Sequence, residues 1–348
     1  MKISRIIRNL GTLACVTFLL LAPSATSGQS VMTVLGPIPV EDLGVTLMHE
    51  HASGGFQGWF ADHSIAPYDQ NLVEKRWIAV LKDLKELGVK TVVDPSMADI
   101  GRRDPIVLRN ASKVTGIHTV MGTGLHMEGF GASQYYKFLQ ERGRDIEQDM
   151  FELFMREIEV GVGDTGVKAG IIKLSTGDPS ITEYEKLVFS AGIRAAKASG
   201  LPIYTHCEGP NVGPEQMDLF LSLGANTGKI VIGHQNNSTD LNYFLRQLER
   251  PGFYLGFDRT GFSDPKAEDC IIELVKRGYA DRIILSHDYV STWLGRSFTW
   301  NLERLTKEFY YPTYIHKKFI PRMKAAGVTD DQIKTILVDN PRRLFARK

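Results

Sequence analysis

The sequence predicts a single (β/α)8 TIM barrel, because short β-branched runs alternate with longer amphipathic segments along most of the chain. About eight such pairs can be counted, which is the number that this barrel requires. Glycines follow several of the amphipathic segments, where helices are expected to end. The length of 348 residues and the hydrophobic content of 43% fit either two ordinary domains or one barrel of this size.

The expected strands are short runs that are rich in apolar and β-branched residues. Several of them close on a polar residue. The eight runs are Val45 to His49, Thr91 to Ser96, His118 to Gly122, Gly170 to Ser175, Pro202 to Cys207, Ile230 to Gln235, Tyr254 to Asp258 and Arg282 to Asp288.

Helices are expected between these runs, where apolar residues recur three and four positions apart. Clear examples are Leu72 to Leu87, Tyr184 to Ala198 and Pro265 to Arg277. The glycines that end helices before the next strand are Gly88, Gly200 and Gly278. No Ser/Gly linker or low-complexity tract interrupts the pattern. We therefore expect one domain over residues 31–348.

The first 27 residues are expected to form a secretion signal. Lys2, Arg5 and Arg8 precede the apolar run Leu13 to Leu21, and small residues follow up to Ser27. The run is shorter than the roughly 20 residues that span a bilayer, so a retained membrane anchor is disfavoured. A helix packed on the domain would need a polar face, which this run lacks. We expect an exported protein, periplasmic or secreted, with no membrane contact after cleavage.

The charge balance argues against a nucleic-acid partner. Lysine and arginine total 41 against 40 aspartates and glutamates, which gives a net charge of +1. A phosphate backbone needs a basic surface, and this composition does not supply one. A small molecule is the expected partner.

Polar residues at the ends of several expected strands form the candidate site, because a barrel of this kind carries its chemistry at that end. His49 and His51 lie two positions apart on one strand and can point to the same side. Lys173 lies among apolar residues, where an ammonium is costly unless it is neutralised or modified. Imidazole and carboxylate ligands are typical of a transition-metal site. The candidate metal ligands are His49, His51, Lys173, His206, His234 and Asp288.

This pattern resembles the phosphotriesterase family of the amidohydrolase superfamily over nearly the whole mature chain. The resemblance lies in the stretch from Gly36-Pro37 through Leu43 to His51, in the Ile172-Lys173 pair and in the sequence Ser286-His287-Asp288. It implies a dinuclear metal hydrolase in which Lys173 is carbamylated by CO2 and bridges two divalent ions. Zinc is favoured, and iron, cobalt or manganese would also suit these ligands. It also suggests a homodimer.

The same resemblance assigns His49, His51 and Asp288 to the more buried ion, and His206 and His234 to the more exposed one. Two metal ions can lower the pKa of a bridging water enough to provide a hydroxide nucleophile at neutral pH. Asp288 and Lys173 are the expected catalytic residues, and Asp288 would carry the proton to the leaving oxygen.

The residues expected to contact substrate are Arg259, His126, Tyr289 and Trp293. Asp258-Arg259 and the sequence through Tyr289 resemble the phosphotriesterase-like lactonase branch, which favours lactones with promiscuous action on phosphotriesters. His126 departs from that branch, which places a tyrosine there. The alternatives are a dedicated phosphotriesterase (an aryldialkylphosphatase), another ester or amide hydrolase of the superfamily, and a metal-binding barrel without activity.

Neighbours of the candidate ligands are expected to face away from the metals, because side chains alternate along a strand. Glu50 is one such neighbour, and His287 and Cys207 are expected in the core. Asp94 closes the second run and could support a ligand or cap a helix.

Overall fold

The computed structural model describes residues 29–55, 57–58, 67–100, 103–209, 212–293 and 311–346. The expected signal segment, residues 1–27, lies outside the described residues. Among the residues that are described, no helix is both long enough and apolar enough to cross a membrane.

A parallel sheet of eight strands wraps into a nearly closed barrel and confirms the predicted fold. A hairpin of β1 (Ser30–Thr33) and β2 (Gly36–Pro39) precedes it, and two short strands, β4 (Glu50–His51) and β12 (Tyr289–Val290), pair separately. The barrel strands, in sheet order, are β3 (Val45–Leu47), β5 (Val89–Asp94), β6 (His118–Leu125), β7 (Ile171–Thr176), β8 (Ile203–Cys207), β9 (Ile230–Ile232), β10 (Tyr254–Phe257) and β11 (Ile283–Leu285).

The first and last strands meet through side chains and a short extra ladder. The backbone N–H of His49 donates to Oγ of Ser286 at 2.9 Å, and the N–H of Asp288 donates to the carbonyl of His49 at 3.0 Å. Beyond that point β4 and β12 pair in parallel. The closure therefore joins the two segments that carry candidate ligands at opposite ends of the sequence.

Helices surround the sheet. They are α1 (Gln70–Glu86), α2 (Pro105–Thr115), α3 (Ser133–Glu141), α4 (Ile146–Glu159), α5 (Glu183–Ser199), α6 (Val212–Ser222), α7 (Leu241–Leu248), α8 (Pro265–Leu274), α9 (Ile320–Ala325), α10 (Asp330–Lys334) and α11 (Asn340–Phe345). Five-residue π-helical segments, Val275–Tyr279, Ile315–Phe319 and Thr335–Asp339, continue or join some of them.

The boundaries of α5 follow from its capping residues. The Thr182 hydroxyl accepts the N–H of Glu185, and the Glu185 side chain accepts the N–H of Thr182, which is a capping box. Gly200 ends the helix in the left-handed conformation with φ of 74°, which glycine adopts without steric penalty. The helix therefore extends one residue beyond each end of the predicted Tyr184 to Ala198.

Side chains divide between two apolar layers. One cluster fills the barrel interior with one residue from most strands, for example Val93, Ile171 and Ile284. The other joins the outward faces of the strands to the helices, as Ile172 and Trp77 do. Lys173 alternates with Ile172 and Leu174 of the outer layer, so it points into the barrel at the end of the interior cluster.

Candidate metal centre

The structure brings all six candidate ligands together at the carboxyl end of the barrel. Lys173 and His206 lie within strands β7 and β8, and His51 lies on β4. His49, His234 and Asp288 lie just outside the strand bounds, so the strands predicted to contain them end earlier than expected.

The first half of the site gathers around His49. Its Nε2 atom lies 3.1 Å from Nε2 of His51 and 3.3 Å from Nζ of Lys173. Oδ1 of Asp288 lies 3.2 Å from the first imidazole nitrogen and 3.3 Å from the second. His49, His51 and Asp288 thus present three ligand atoms close enough to hold one metal ion.

The second half of the site is the pair His206 and His234. Nδ1 of His206 lies 2.7 Å from Nε2 of His234, and the two rings are perpendicular with centroids 4.2 Å apart. The ring of His234 also stacks beside that of His49, with centroids 5.2 Å apart. The two halves are therefore adjacent.

The ring nitrogens that point away from the site all lie next to hydrogen-bond acceptors. Oδ2 of Asp258 lies 2.8 Å from Nδ1 of His49, and its Oδ1 lies 2.8 Å from Nδ1 of His234. Nδ1 of His51 lies 2.8 Å from Oγ of Ser96, and Nε2 of His206 lies 2.7 Å from Oε2 of Glu208.

These partners determine which nitrogen of each imidazole is free. A neutral imidazole has one N–H, and an outward carboxylate takes that N–H as donor. The inward nitrogens of His206 and His234 then carry lone pairs that face each other 2.7 Å apart, and the inward nitrogen of His49 carries a lone pair 3.1 Å from Nε2 of His51. Facing lone pairs repel unless a cation lies between them, so this donor set fits divalent metal ions.

The protonation preferences agree with this arrangement. Burial lowers the pKa of His49 to about 4, with Lys173 adding to the effect, and lowers that of His234 to about 4. Burial also holds the pKa of His206 well below its usual value. At His51 burial acts in the same direction, but hydrogen bonds with Asp288 and Asp94 outweigh it and raise the pKa to about 9. Coordination by His51 therefore requires the release of a proton.

His234 and Asp288 have φ angles of 54° and 55°, and in the described part of the chain they are the non-glycine residues with positive φ. A left-handed conformation costs a residue with a Cβ atom roughly 1–2 kcal/mol. Hydrogen bonds hold both backbones in place: the N–H of His234 donates to Asp258, and that of Asp288 donates to His49. Strain of this kind concentrates at functional sites.

Lys173 is 1% exposed and lacks a carboxylate partner among the described residues. Its Nζ donates to the carbonyl of Thr205 at 3.0 Å and lies 4.8 Å from the centre of the Tyr204 ring. Burial lowers its pKa to about 8. A neutral amine is the form that reacts with electrophiles, so this environment favours modification.

Two of the four expected substrate-contacting residues lie beside the ligands. The His126 ring is 5.0 Å from that of His206, and its Nδ1 is buried without a hydrogen-bond partner in the described residues. Nε of Arg259 lies 3.0 Å from Oδ2 of Asp288. Tyr289 instead packs in the outer layer against Tyr311, and Trp293 forms a bridge with Gly54.

Asp258 and Glu208 are not among the site residues that the sequence predicts. Asp258 closes a predicted strand, which was the available signal, and its carboxyl pKa is held well below the usual range by His234 and His49, against the effect of burial. Asp94, for which the sequence leaves two roles open, lies 3.5 Å from Nδ1 of His51 and accepts the Ser96 hydroxyl. The expected core positions of His287 and Cys207 are observed.

Comparison with known proteins places this chain in a family. The profile of the phosphotriesterase family matches residues 29–345. A phosphotriesterase homology protein of Mycobacterium tuberculosis is 36% identical over 324 residues, covering 91% of this chain and 97% of that protein. An aryldialkylphosphatase of Saccharolobus solfataricus is 31% identical, covering 89% of this chain and 97% of that protein.

A solved structure shows the same likeness in three dimensions. A mutant of a phosphotriesterase-like lactonase from Deinococcus radiodurans superposes with a TM-score of 0.86 at 34% identity, covering 91% of this chain and 100% of that chain. The chain therefore belongs to the phosphotriesterase family and is a metal-dependent hydrolase.

Proposed function

We propose that this enzyme hydrolyses lactones and acts more slowly on phosphotriesters, with two divalent metal ions held by the six clustered residues. The observation that carries the proposal is the pairing of inward-facing imidazole nitrogens, 3.1 Å apart in one half of the site and 2.7 Å apart in the other. His49, His51 and Asp288 would hold one ion, His206 and His234 the other, and Lys173 would bridge them. Zinc is the favoured metal for such ligands.

Lys173 is proposed to be carbamylated. Its neutral amine would attack the carbon of CO2 and lose a proton, which gives a carbamate anion with two oxygen ligands. This converts a buried amine, which lacks a carboxylate partner within the described part of the chain, into the anion that two metal ions require. His49, 3.3 Å away, supports the proposal because a protonated Lys173 would donate to the nitrogen lone pair with which His49 is to bind a metal ion.

Bound metal ions would activate water and polarise the scissile bond. The chain then has two tasks, which are to move a proton and to exclude bulk water. Asp288 is proposed to take a proton from the attacking water and give it to the ring oxygen as the carbon–oxygen bond of the lactone breaks, so that a hydroxy acid forms. Burial of His49, Lys173 and His234, each 1% exposed, limits access of bulk water to the site.

Arg259 would fix the geometry of this proton transfer. Its Nε pairs with Oδ2 of Asp288, and its Nη1 donates to Asn237 at 3.1 Å. Because a guanidinium keeps its protons, the transferred proton stays on Asp288 until the leaving oxygen accepts it. The Asp258-Arg259 pair resembles the lactonase branch, and the likeness to the Deinococcus radiodurans lactonase supports the same substrate class.

The test combines metal content per chain with hydrolysis of a lactone panel and an aryl phosphotriester. Wild type should hold two ions and open lactones, and Lys173→Ala should lose both properties. Lys186→Ala, which removes an exposed lysine paired with Glu183, is the matched control. A reversed substrate preference would support a dedicated phosphotriesterase, as the relative from Saccharolobus solfataricus is named. Metal-free protein with activity unaffected by Lys173→Ala would refute the assigned site.

We also propose that the protein is exported and that residues 1–27 are removed. The support is the basic start, the apolar run and the small residues that follow it. Amino-terminal sequencing of protein from the native cell envelope and culture medium tests this. A mature chain that retains Met1 would contradict it.

A further inference from the structure

We propose that Glu208 is a positioning residue that selects the metal-binding tautomer of His206 and thereby raises the affinity for the more exposed metal ion alone. This inference rests on the proposed dinuclear site. Oε2 of Glu208 lies 2.7 Å from Nε2 of His206. The carboxylate comes from the loop directly after β8, two residues beyond the histidine.

The tautomer of His206 determines whether it can bind a metal ion through the nitrogen that faces the site. A carboxylate only accepts hydrogen bonds, so Glu208 retains the proton on Nε2. Nδ1 then presents its lone pair toward Nε2 of His234, 2.7 Å away. Without Glu208 the proton can occupy Nδ1 instead, and the ligand atom is lost.

The backbone of Glu208 is fixed from two sides. Its N–H donates to the carbonyl of Thr176 at 3.2 Å, and its own carbonyl accepts a hydrogen bond from Nδ2 of Asn237 at 3.1 Å. Asn237 also accepts from Arg259, so the same side chain connects the two sides of the site. The carboxylate is thus presented to His206 by a well-defined loop.

The effect on one metal ion and not the other follows from how the hydrogen-bond acceptors behind the histidines are shared. Asp258 accepts hydrogen bonds from both His49 and His234, and these two histidines would hold different metal ions. Asp258 is fully buried. Among the described residues, the Glu208 carboxylate accepts from His206 alone, and its side chain is 42% exposed. Loss of Glu208 should therefore weaken the binding of one metal ion, whereas loss of Asp258 should weaken the binding of both.

The experiment is a chelator titration of zinc-loaded full-length protein, with zinc per chain measured after gel filtration. Removal of an acceptor behind a metal-binding histidine typically lowers metal affinity 10–100-fold. In Glu208→Ala, one of the two ions should leave at roughly 10–100-fold lower chelator concentration, while the other leaves as in wild type. Glu208→Gln keeps the volume and an acceptor oxygen, so its shift should be smaller.

Glu183→Gln is the charge-matched control, because Glu183 is 90% exposed at the start of α5 and should leave both release points unchanged. Equal titrations of wild type and both Glu208 variants would overturn the inference and leave the proposed function standing. Simultaneous loss of both ions would overturn the selectivity. A wild type with fewer than two ions would refute the dinuclear site itself, and this inference with it.

Discussion

Oε1 of Glu50 lies 2.7 Å from Nδ1 of His287, and both side chains are fully buried. The same carboxylate also accepts hydrogen bonds from the Ser286 hydroxyl and from the backbone N–H groups of His287 and Tyr289. Nε2 of His287 in turn accepts the N–H of Ile315. Glu50, expected only to point away from the metals, therefore fixes the segment that carries Asp288.

Glu50→Gln should destabilise the protein strongly. The amide has one acceptor oxygen where four donors converge, and its NH2 group would face donors instead of acceptors. Leaving a buried donor without its acceptor in this way typically costs about 1–3 kcal/mol. Urea unfolding followed by circular dichroism measures this directly.

Glu41→Gln is the control for that substitution, because Glu41 is exposed and follows the hairpin at the other end of the barrel. Its free energy of unfolding should stay within about 0.5 kcal/mol of wild type. If Glu50→Gln also stayed within that range, the four hydrogen bonds would not explain how the Asp288 segment is held.

Asp258→Asn should weaken the binding of both metal ions. An amide can accept one N–H but must turn its own NH2 group toward the other imidazole, so either His49 or His234 loses its acceptor. The N–H of His234, which donates to Oδ1 of Asp258 at 2.9 Å, would be disturbed as well. Chelator concentrations for release of both ions should fall about 10–100-fold.

Asp218→Asn provides the comparison for Asp258→Asn, because Asp218 pairs with Arg250 and its side chain is 62% exposed. Its metal release should match wild type. Release of only one ion from Asp258→Asn would contradict the shared role of this carboxylate.

The sequence was sufficient to predict the barrel, its strand positions and the six clustered residues. Alternation along a strand correctly separated His206 from Cys207. It failed where the chain leaves the strand, since His234 and Asp288 were expected inside strands and instead have positive φ. Contacts with Asp258 and His49, distant in sequence, hold those conformations, and local patterns do not encode them.

The acceptors behind the histidines were harder to find for a similar reason. Asp258 is 209 positions from His49, so the pairing appears only when the barrel closes. Glu208 is two residues from His206, but in a continuing strand a residue at that spacing would point into the site as a ligand. The loop that follows β8 turns its carboxylate to the outer nitrogen instead.

Stability should depend on pH through Asp99. Its carboxylate accepts the N–H groups of His126 and Ala132, and burial raises its pKa to about 6. Because the pKa in the folded state is raised, its contribution to stability is complete below about pH 4 and is lost as pH rises through 6. Arg103 partly offsets the rise, while Tyr136 and Tyr184 lie nearby without charge.

Asp99→Asn removes this titration. Between pH 4 and pH 7, the free energy of unfolding of Asp99→Asn should therefore rise relative to that of wild type. The rise should be about 1.4 kcal/mol for each unit by which folding raises the pKa of Asp99. Urea unfolding at half-unit pH steps measures it, with Asp164→Asn as a matched exposed substitution. A difference that stays constant over this range would contradict the raised pKa.

Gly124→Ala should disrupt the strand that carries Lys173. Gly124 pairs with Lys173 across β6 and β7, has φ of 136°, and a Cβ atom there would lie 1.7 Å from the Lys173 carbonyl oxygen. Because that oxygen belongs to the backbone, β7 must shift and carry Lys173 away from His49. We expect insoluble protein, or a folded variant with less than one metal ion per chain.

Gly129→Ala adds the same methyl group where no heavy atom lies within 4 Å, so it should keep wild-type metal content and solubility. Wild-type metal content in Gly124→Ala would show that the site tolerates a displaced β7, which would contradict the tight placement inferred for Lys173.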